Sequence, residues 1–165
     1  MGGDRGPDEV VAGALEARDS GLTPILYGSA GTEAHGLDLN ETTSAIGMHE
    51  KPADAVRSKP DSSLVAAVRA VATGDADAVV SAGNTGAVLA AGLLELRRIP
   101  GVLRPAIAVS IPAQRGPCVL LDAGANADAR PEHLLQFATM GAVFAAEILG
   151  VARPYGPAPV DRRRA

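Results

Sequence analysis

Short apolar runs alternate with amphipathic segments along this chain. Helical spacing of apolar residues predicts helices over residues 6–18, 61–74, 85–98 and 131–150, with one helical turn over 53–57. Compact apolar runs predict strands over residues 23–28, 77–81, 106–112 and 118–124, with a further brief strand inside 44–52. The segment 29–43, which is rich in Gly, Thr and Asn, favours a loop that includes at most one helical turn.

Residue types at the predicted helix ends support these bounds. Pro7 and Pro131 suit a first helical turn, where the missing backbone N–H group has no intrahelical partner to lose. Asp61 or Ser62 can cap the second helix, and Gly74 suits the left-handed conformation at its end. The residue types at the helix ends and the apolar spacing therefore predict the same helices.

The alternation of apolar strands with helices predicts the fold class. Continuous apolar strands are typical of a sheet that is buried on both faces, so we expect an α/β fold with a mostly parallel sheet in a three-layer α/β/α arrangement. Residues 1–150 are expected to form the α/β domain. Residues 151–165 are rich in proline and arginine, have no apolar spacing, and are expected to form an irregular tail.

Charge and composition exclude several functional classes. The 165 residues include 15 Lys and Arg against 19 Asp and Glu, and only 2% of residues are aromatic, so nucleic acid is not the expected partner. The single cysteine, Cys118, allows no internal disulfide, which fits a reducing compartment. The longest apolar run, 87–94, is too short to span a bilayer. We therefore expect a soluble intracellular protein.

The segment "SAGNTGA" carries the first candidate chemistry. It follows the predicted strand that ends at Ser81 and contains Gly83, Asn84, Thr85 and Gly86 at the start of a helix. Backbone N–H groups and the positive end of a helix dipole bind anions there, and glycine lets the backbone approach a ligand. The segment lacks the dinucleotide and Walker A patterns. A tight strand-to-helix connection without a ligand remains the alternative.

The segment "LLDAGANADARPEHL" repeats this arrangement. Asp122, Gly124, Asn126 and Asp128 lie between an apolar strand and the helix that starts near Pro131. Polar turns at equivalent strand ends of an open α/β sheet converge on one cleft, so we expect the two turns to share a site. Asp122 or Asp128 can orient a hydroxyl group, accept a proton or bind a metal. The alternative is that Asp128 only caps the helix.

A third candidate is the basic segment "MHEKPADAVRSKPDSS". Its Lys51, Arg57 and Lys59 can bind phosphate, and a solvated basic loop is the alternative. Arg97, Arg98 and Arg104 either form a docking face for an acidic protein or favour the negative end of a helix. The three histidines show no metal-ligand spacing, so neither a metal nor an organic cofactor is expected.

Five motifs taken together resemble one family. "MGGD", "MHEKPADAVRSKPDSS", "SAGNTGA", "GVLRPAIA" and "LLDAGANAD" resemble, in this order, the phosphate acyltransferase family of bacterial phospholipid synthesis. The resemblance covers residues 1–154 and implies a fold similar to that of isocitrate dehydrogenase. It implies transfer of a fatty acyl group from acyl carrier protein to inorganic phosphate. The acyl phosphate product would feed glycerol-3-phosphate acylation.

The resemblance also implies roles for the residues of the three segments. The catalytic residues that it predicts are Asn84, Lys59, Asp122 and Asn126. The substrate-binding residues that it predicts are Asp4, Arg57, Ser81, Gly83, Thr85, Gly86 and Asp128. It further implies a homodimer in the cytoplasm, and the lipid-like product implies peripheral association with the membrane.

The ends of the chain differ from the family pattern. The family has a strand before "MGGD" and a further half beyond Tyr155, so we expect the chain to be truncated at both ends. Two alternatives follow. One is another enzyme on the same fold, such as a phosphate acetyltransferase or an isocitrate-type dehydrogenase. The other is a fragment that binds phosphate or carrier protein but does not catalyse the reaction.

Overall fold

The computed structural model describes residues 5–114, 116–124, 126 and 128–154. The chain divides into two compact units, Met1–Arg97 and Arg98–Ala165. Asp4 of the predicted site lies outside the described residues, as does the tail from residue 155 onward.

The first unit contains four helices and a pair of strands among its described residues. Its elements are α1 (Pro7–Asp19), β1 (Ile25–Gly28), β2 (Asp38–Glu41), α2 (Pro52–Ser58), α3 (Ser63–Thr73) and α4 (Thr85–Glu95). β1 pairs with β2 in parallel, with Ile25 opposite Asp38 and Gly28 opposite Glu41. A parallel pair joined to helices places the chain in the α/β class, as the sequence predicts, while the three-layer arrangement stays a prediction.

The core of the first unit lies where α2, α3 and α4 meet. Its buried residues are Val56, Leu64, Val65, Val68, Ala87 and Ala91. α4 contributes only alanines to this core, and small side chains let its backbone come close to α3. At the edge of the contact, Arg69 Nη2 lies 3.0 Å from a carboxylate oxygen of Glu95 and links the two helices.

The second unit contains an antiparallel hairpin and one long helix. β3 (Ala108–Ala113) pairs with β4 (Gly116–Leu121), and α5 (Pro131–Glu147) packs against β4. A Cβ atom built on Gly141 would lie 2.8 Å from Leu121 Cδ1. Glycine at this position of α5 therefore lets the helix approach the strand closely.

Local helix signals are confirmed. Ser62 occupies the N-cap position of α3 without a capping hydrogen bond from its side chain, and Gly74 ends that helix with φ of 82°, in the left-handed region. Pro7 and Pro131 lie in the first turns of α1 and α5. α4 and α5 each end three residues before the predicted position.

Two strand predictions and one loop prediction are wrong. β2 lies inside the segment predicted as a loop, and the segment 44–52 forms only an isolated bridge between Ser44 and Ser62. The segment 77–81 pairs with no strand among the described residues, and Val80 is 97% exposed. The parallel pairing that the sequence predicts is present in β1 and β2, whereas β3 and β4 pair in the antiparallel direction. An apolar run does not specify which strand lies beside it, so pairing and direction escape prediction.

Within the part of the chain that the structure describes, no helix combines the length and the apolar character needed to cross a membrane.

Candidate functional site

Asn84 caps the N-terminus of α4. Its side-chain Oδ1 accepts a hydrogen bond from the backbone N–H of Ala87 at 3.1 Å, which caps the helix. The first intrahelical bond runs from the N–H of Val88 to the carbonyl oxygen of Asn84 at 3.0 Å. The N–H groups of Thr85 and Gly86 precede this bond in the first turn, where backbone donors have no intrahelical acceptor.

The other end of the Asn84 side chain holds a neighbouring loop. Its Nδ2 lies 3.2 Å from the carbonyl oxygens of Gly47 and Met48 and 3.1 Å from that of Glu50. The side chain is buried, with 8% of its residue surface exposed. Asn84 therefore fixes the segment 45–50, which we call the 45–50 loop, beside the start of α4.

Gly86 lets two helices begin side by side. A Cβ atom at Gly86 would lie 2.5 Å from Pro52 Cγ and 3.2 Å from Pro52 Cβ. Real Cβ atoms do not approach another atom so closely, so only glycine allows the first residue of α2 to pack here. The glycine of the motif thus has a packing role that the sequence alone did not reveal.

Ser81, Gly83 and Thr85 complete the turn before α4. Ser81 Oγ accepts a hydrogen bond from the N–H of Gly83 at 3.2 Å. Ser81 and Thr85 are exposed, and Gly83 is half-buried. The structure therefore brings the predicted residues of this motif together at one helix terminus.

Lys59 reaches the same loop from the end of α2. Its ammonium lies 2.7 Å from Glu50 Oε1 and 2.9 Å from the carbonyl oxygen of Ala45. The two charged side chains are each about one-third exposed, at 33% and 36%. The 45–50 loop therefore connects Lys59 to Asn84, two predicted site residues that are 25 positions apart in the sequence.

Glu50 is a member of this network that sequence reasoning missed. The N–H of Gly47 donates a hydrogen bond to its carboxylate, and this bond, followed by the contact with Lys59, lowers the pKa of Glu50 below its usual value. The signal that could have identified Glu50 was an acid inside a basic motif, next to Lys51. Arg57 is exposed in the last turn of α2 and takes no part in this network among the described residues.

Two residues of the second predicted turn, Asp122 and Asn126, are joined by hydrogen bonds. Asp122 Oδ1 accepts hydrogen bonds from the backbone N–H of Asn126 at 3.0 Å and from Asn126 Nδ2 at 2.9 Å. Asn126 Nδ2 also donates to the carbonyl oxygen of Pro105 at 3.0 Å. Asp122 has φ of 65°, which is uncommon for a residue other than glycine. The turn thus holds a half-buried carboxylate in a fixed place at the end of β4.

Asp128 does not cap α5. The N-cap is Arg130, whose backbone N–H donates to Nδ1 of the buried His133 at 3.1 Å. Because Arg130 occupies the N-cap, the alternative in which the exposed Asp128 only caps the helix is wrong. Convergence of the two polar turns on one cleft stays a prediction.

These features define an α/β protein with a glycine-bearing helix N-terminus of the kind that binds anions. Over residues 1–157 the chain matches the family described as "Fatty acid synthesis protein", and it belongs to that family. The match confirms the resemblance that the five sequence motifs indicate.

Curated relatives in this family carry the name phosphate acyltransferase. The protein of that name from Desulfitobacterium hafniense is 48% identical over 164 residues, which cover 93% of this chain and 49% of the relative. The one from Heliobacterium modesticaldum is 45% identical over 166 residues, or 93% and 50%. The one from Geobacter sulfurreducens is 44% identical over 165 residues, or 93% and 48%. The chain spans about half the length of these relatives.

Proposed function

We propose that this chain carries part of the site of an acyltransferase that moves a fatty acyl group from acyl carrier protein to inorganic phosphate. The observation that carries the proposal is the 48% identity, over 93% of the chain, to a protein named phosphate acyltransferase. The product is an acyl phosphate, which a glycerol-3-phosphate acyltransferase would consume in phospholipid synthesis. A cytoplasmic homodimer that contacts the membrane peripherally belongs to the same proposal.

The reaction sets clear demands on the site. A phosphate oxygen attacks the thioester carbonyl carbon, a new C–O bond forms, the C–S bond breaks, and the departing thiolate takes up a proton. The site must therefore hold a phosphate dianion and stabilise the negative charge that develops on the carbonyl oxygen. Acyl transfer of this kind needs no redox cofactor.

The first unit supplies groups that fit the phosphate. We assign phosphate or oxyanion binding to the first turn of α4, where Thr85 and Gly86 present backbone N–H groups. Asn84 holds that turn in place, and Lys59 and Arg57 supply positive charge. Gly83 lets the backbone approach the ligand, and the exposed Ser81 hydroxyl completes the turn.

The second unit contains Asp122, Asn126 and Asp128, to which the family resemblance assigns roles. Asp122 and Asn126, joined by two hydrogen bonds, would orient phosphate or the pantetheine thiol, and the exposed Asp128 would line the same turn. Asp4 is assigned to substrate binding from the sequence motif alone. Arg97, Arg98 and Arg104 are cations that suit docking of the acidic carrier protein.

The test measures acyl-phosphate formation by 31P NMR. The purified chain is mixed with palmitoyl-acyl carrier protein and phosphate, beside the full-length Desulfitobacterium hafniense relative, with acetyl-coenzyme A as the control substrate. Product formed by the chain only from the carrier-protein thioester supports the proposal. Phosphate binding without product would indicate a fragment that binds but does not catalyse. Neither binding nor product, with the relative active, would overturn the proposal.

A matched pair of variants tests whether phosphate binding needs a positive charge at the proposed site. We expect Arg57→Gln to raise the KM for phosphate, because it removes a cation from the proposed site. Arg18→Gln removes the same charge from the exposed end of α1 and should leave KM unchanged. Equal effects of the two changes would show that only net charge matters.

A further inference from the structure

Glu50 contacts both Lys59 and Asn84, two residues of the proposed phosphate site. Its carboxylate accepts hydrogen bonds from the N–H of Gly47 and from the ammonium of Lys59, while its own carbonyl oxygen accepts one from Asn84. No other described acid contacts both the basic segment and the start of α4. The proposed reaction gives this side chain no direct task.

The 45–50 loop is consequently held from two directions. Lys59 binds the loop at the carbonyl oxygen of Ala45 and at the Glu50 side chain, and Asn84 binds it at the carbonyl oxygens of Gly47, Met48 and Glu50. Two of the three ammonium N–H groups of Lys59 are used in this way, and the third has no acceptor among the described residues.

We propose that Glu50 is a positioning residue for phosphate, because its carboxylate fixes the Lys59 ammonium against the 45–50 loop, which Asn84 holds at the N-terminus of α4. The inference rests on the proposed function. It adds a role for a residue that does not touch the reacting atoms.

The physical reason is conformational entropy. A lysine side chain has four rotatable bonds and loses much of its freedom when a ligand must immobilise it. Contacts with Glu50 and Ala45 restrict Lys59 before phosphate arrives, so binding requires less ordering. The hydrogen bond from Gly47 and the contact with Lys59 keep the pKa of Glu50 low, so the carboxylate stays charged at neutral pH.

The opposite expectation is equally concrete. If Glu50 acted only as a negative charge near the anion, it would compete with phosphate for Lys59. Neutralising it would then tighten phosphate binding. The sign of the change in phosphate affinity therefore decides between the two roles.

The two lysines of the chain make the test direct. Lys51 is exposed next to Glu50 and serves as the internal reference for amine acetylation, which mass spectrometry reads at Lys51 and Lys59 separately. Glu50→Gln removes the charge but keeps an oxygen for the Gly47 N–H. Glu16→Gln, on the exposed surface of α1, is the matched control. Phosphate binding is titrated by 1H–15N NMR on the same proteins.

We expect Glu50→Gln to raise the ratio of Lys59 to Lys51 acetylation about threefold or more and the Kd for phosphate about five- to tenfold. Glu16→Gln should change neither, and Glu50→Asp, which keeps the charge but shortens the reach, should lie between. Unchanged acetylation, unchanged affinity or tighter binding in Glu50→Gln would each overturn the inference.

The failure of the proposed function gives a different result. In that case the wild-type chain would bind no phosphate and phosphate would not protect Lys59 from acetylation, whatever Glu50→Gln does to the ratio. That outcome overturns the phosphate role as well. Phosphate protection of Lys59 in the wild type that weakens in Glu50→Gln supports both proposals together.

Discussion

Replacing Asn84 by alanine tests how the start of α4 is held. The change removes one acceptor, which caps the Ala87 N–H, and one amide group, which serves the carbonyl oxygens of Gly47, Met48 and Glu50. The helix terminus and the 45–50 loop lose their shared anchor at the same time.

The size of the effect follows from these contacts. Loss of an N-cap costs about 1 kcal/mol. The amide carries two N–H groups, so it makes two full hydrogen bonds, each worth about 1 kcal/mol. The expected loss in the free energy of unfolding of the first unit is therefore about 3 kcal/mol.

Urea unfolding, monitored by NMR, can measure this loss of stability in the first unit alone. The amide signals of Val68 and Ala91 in the core report that unit, and those of Phe137 and Ala145 in α5 report the other. Two compact units need not unfold together, so separate signals are required for a defined free energy. Thr85→Ala is the control, because its side chain is exposed and should change stability by less than about 0.5 kcal/mol.

Two results would refute this reasoning. A loss below about 1 kcal/mol in Asn84→Ala would mean that the amide contacts contribute nothing beyond the cap. An equal shift in the signals of Phe137 and Ala145 would mean that the effect is not local.

Two further predictions follow from the same site. Gly86→Ala should destabilise the first unit by about 1–3 kcal/mol in urea unfolding, because the new Cβ atom would meet Pro52. Gly92→Ala is the control in the same helix and should stabilise the unit by about 0.5–1 kcal/mol, because its Cβ atom would enter open space. Increased stability in both variants would contradict the close contact between Gly86 and Pro52. The pKa of Glu50 in the folded protein is lower than its ordinary value of 4.5. The contacts of the Glu50 carboxylate therefore contribute their full stability above pH 4.5, and this stability is lost as the pH falls through the pKa of the folded state. Lys59→Met should raise the Glu50 pKa in a carbon-13 NMR titration but leave it below the ordinary value, since the Gly47 bond is the larger cause; no change would remove Lys59 from the network.

Helices were predicted well because their signals are local. The spacing of Leu64, Val65 and Val68 and the glycine at position 74 lie within one helix and its end, so neighbouring residues carry all the information needed. Strands were predicted less well. β2 has the sequence Asp-Leu-Asn-Glu, which favours no strand by composition, and it forms because β1 lies beside it.

The site shows the same division. Family membership and the residues of the motif around Asn84 could be read from the chain alone, because order and spacing define a motif. The packing reason for Gly86 could not, since Pro52 lies 34 positions earlier in the sequence. Glu50 could not be assigned either, because its partners are known only once the loop is folded.

The sequence by itself determined the family, the positions of the helices and the presence of a glycine-bearing helix N-terminus. Only the tertiary structure decided that Asn84 anchors carbonyl oxygens 34 to 37 positions away and that Lys59 is paired with Glu50. The physical reason is the range of the interactions. Helix propensity and capping act over a few neighbouring residues, whereas hydrogen bonds between distant segments depend on how the whole unit packs.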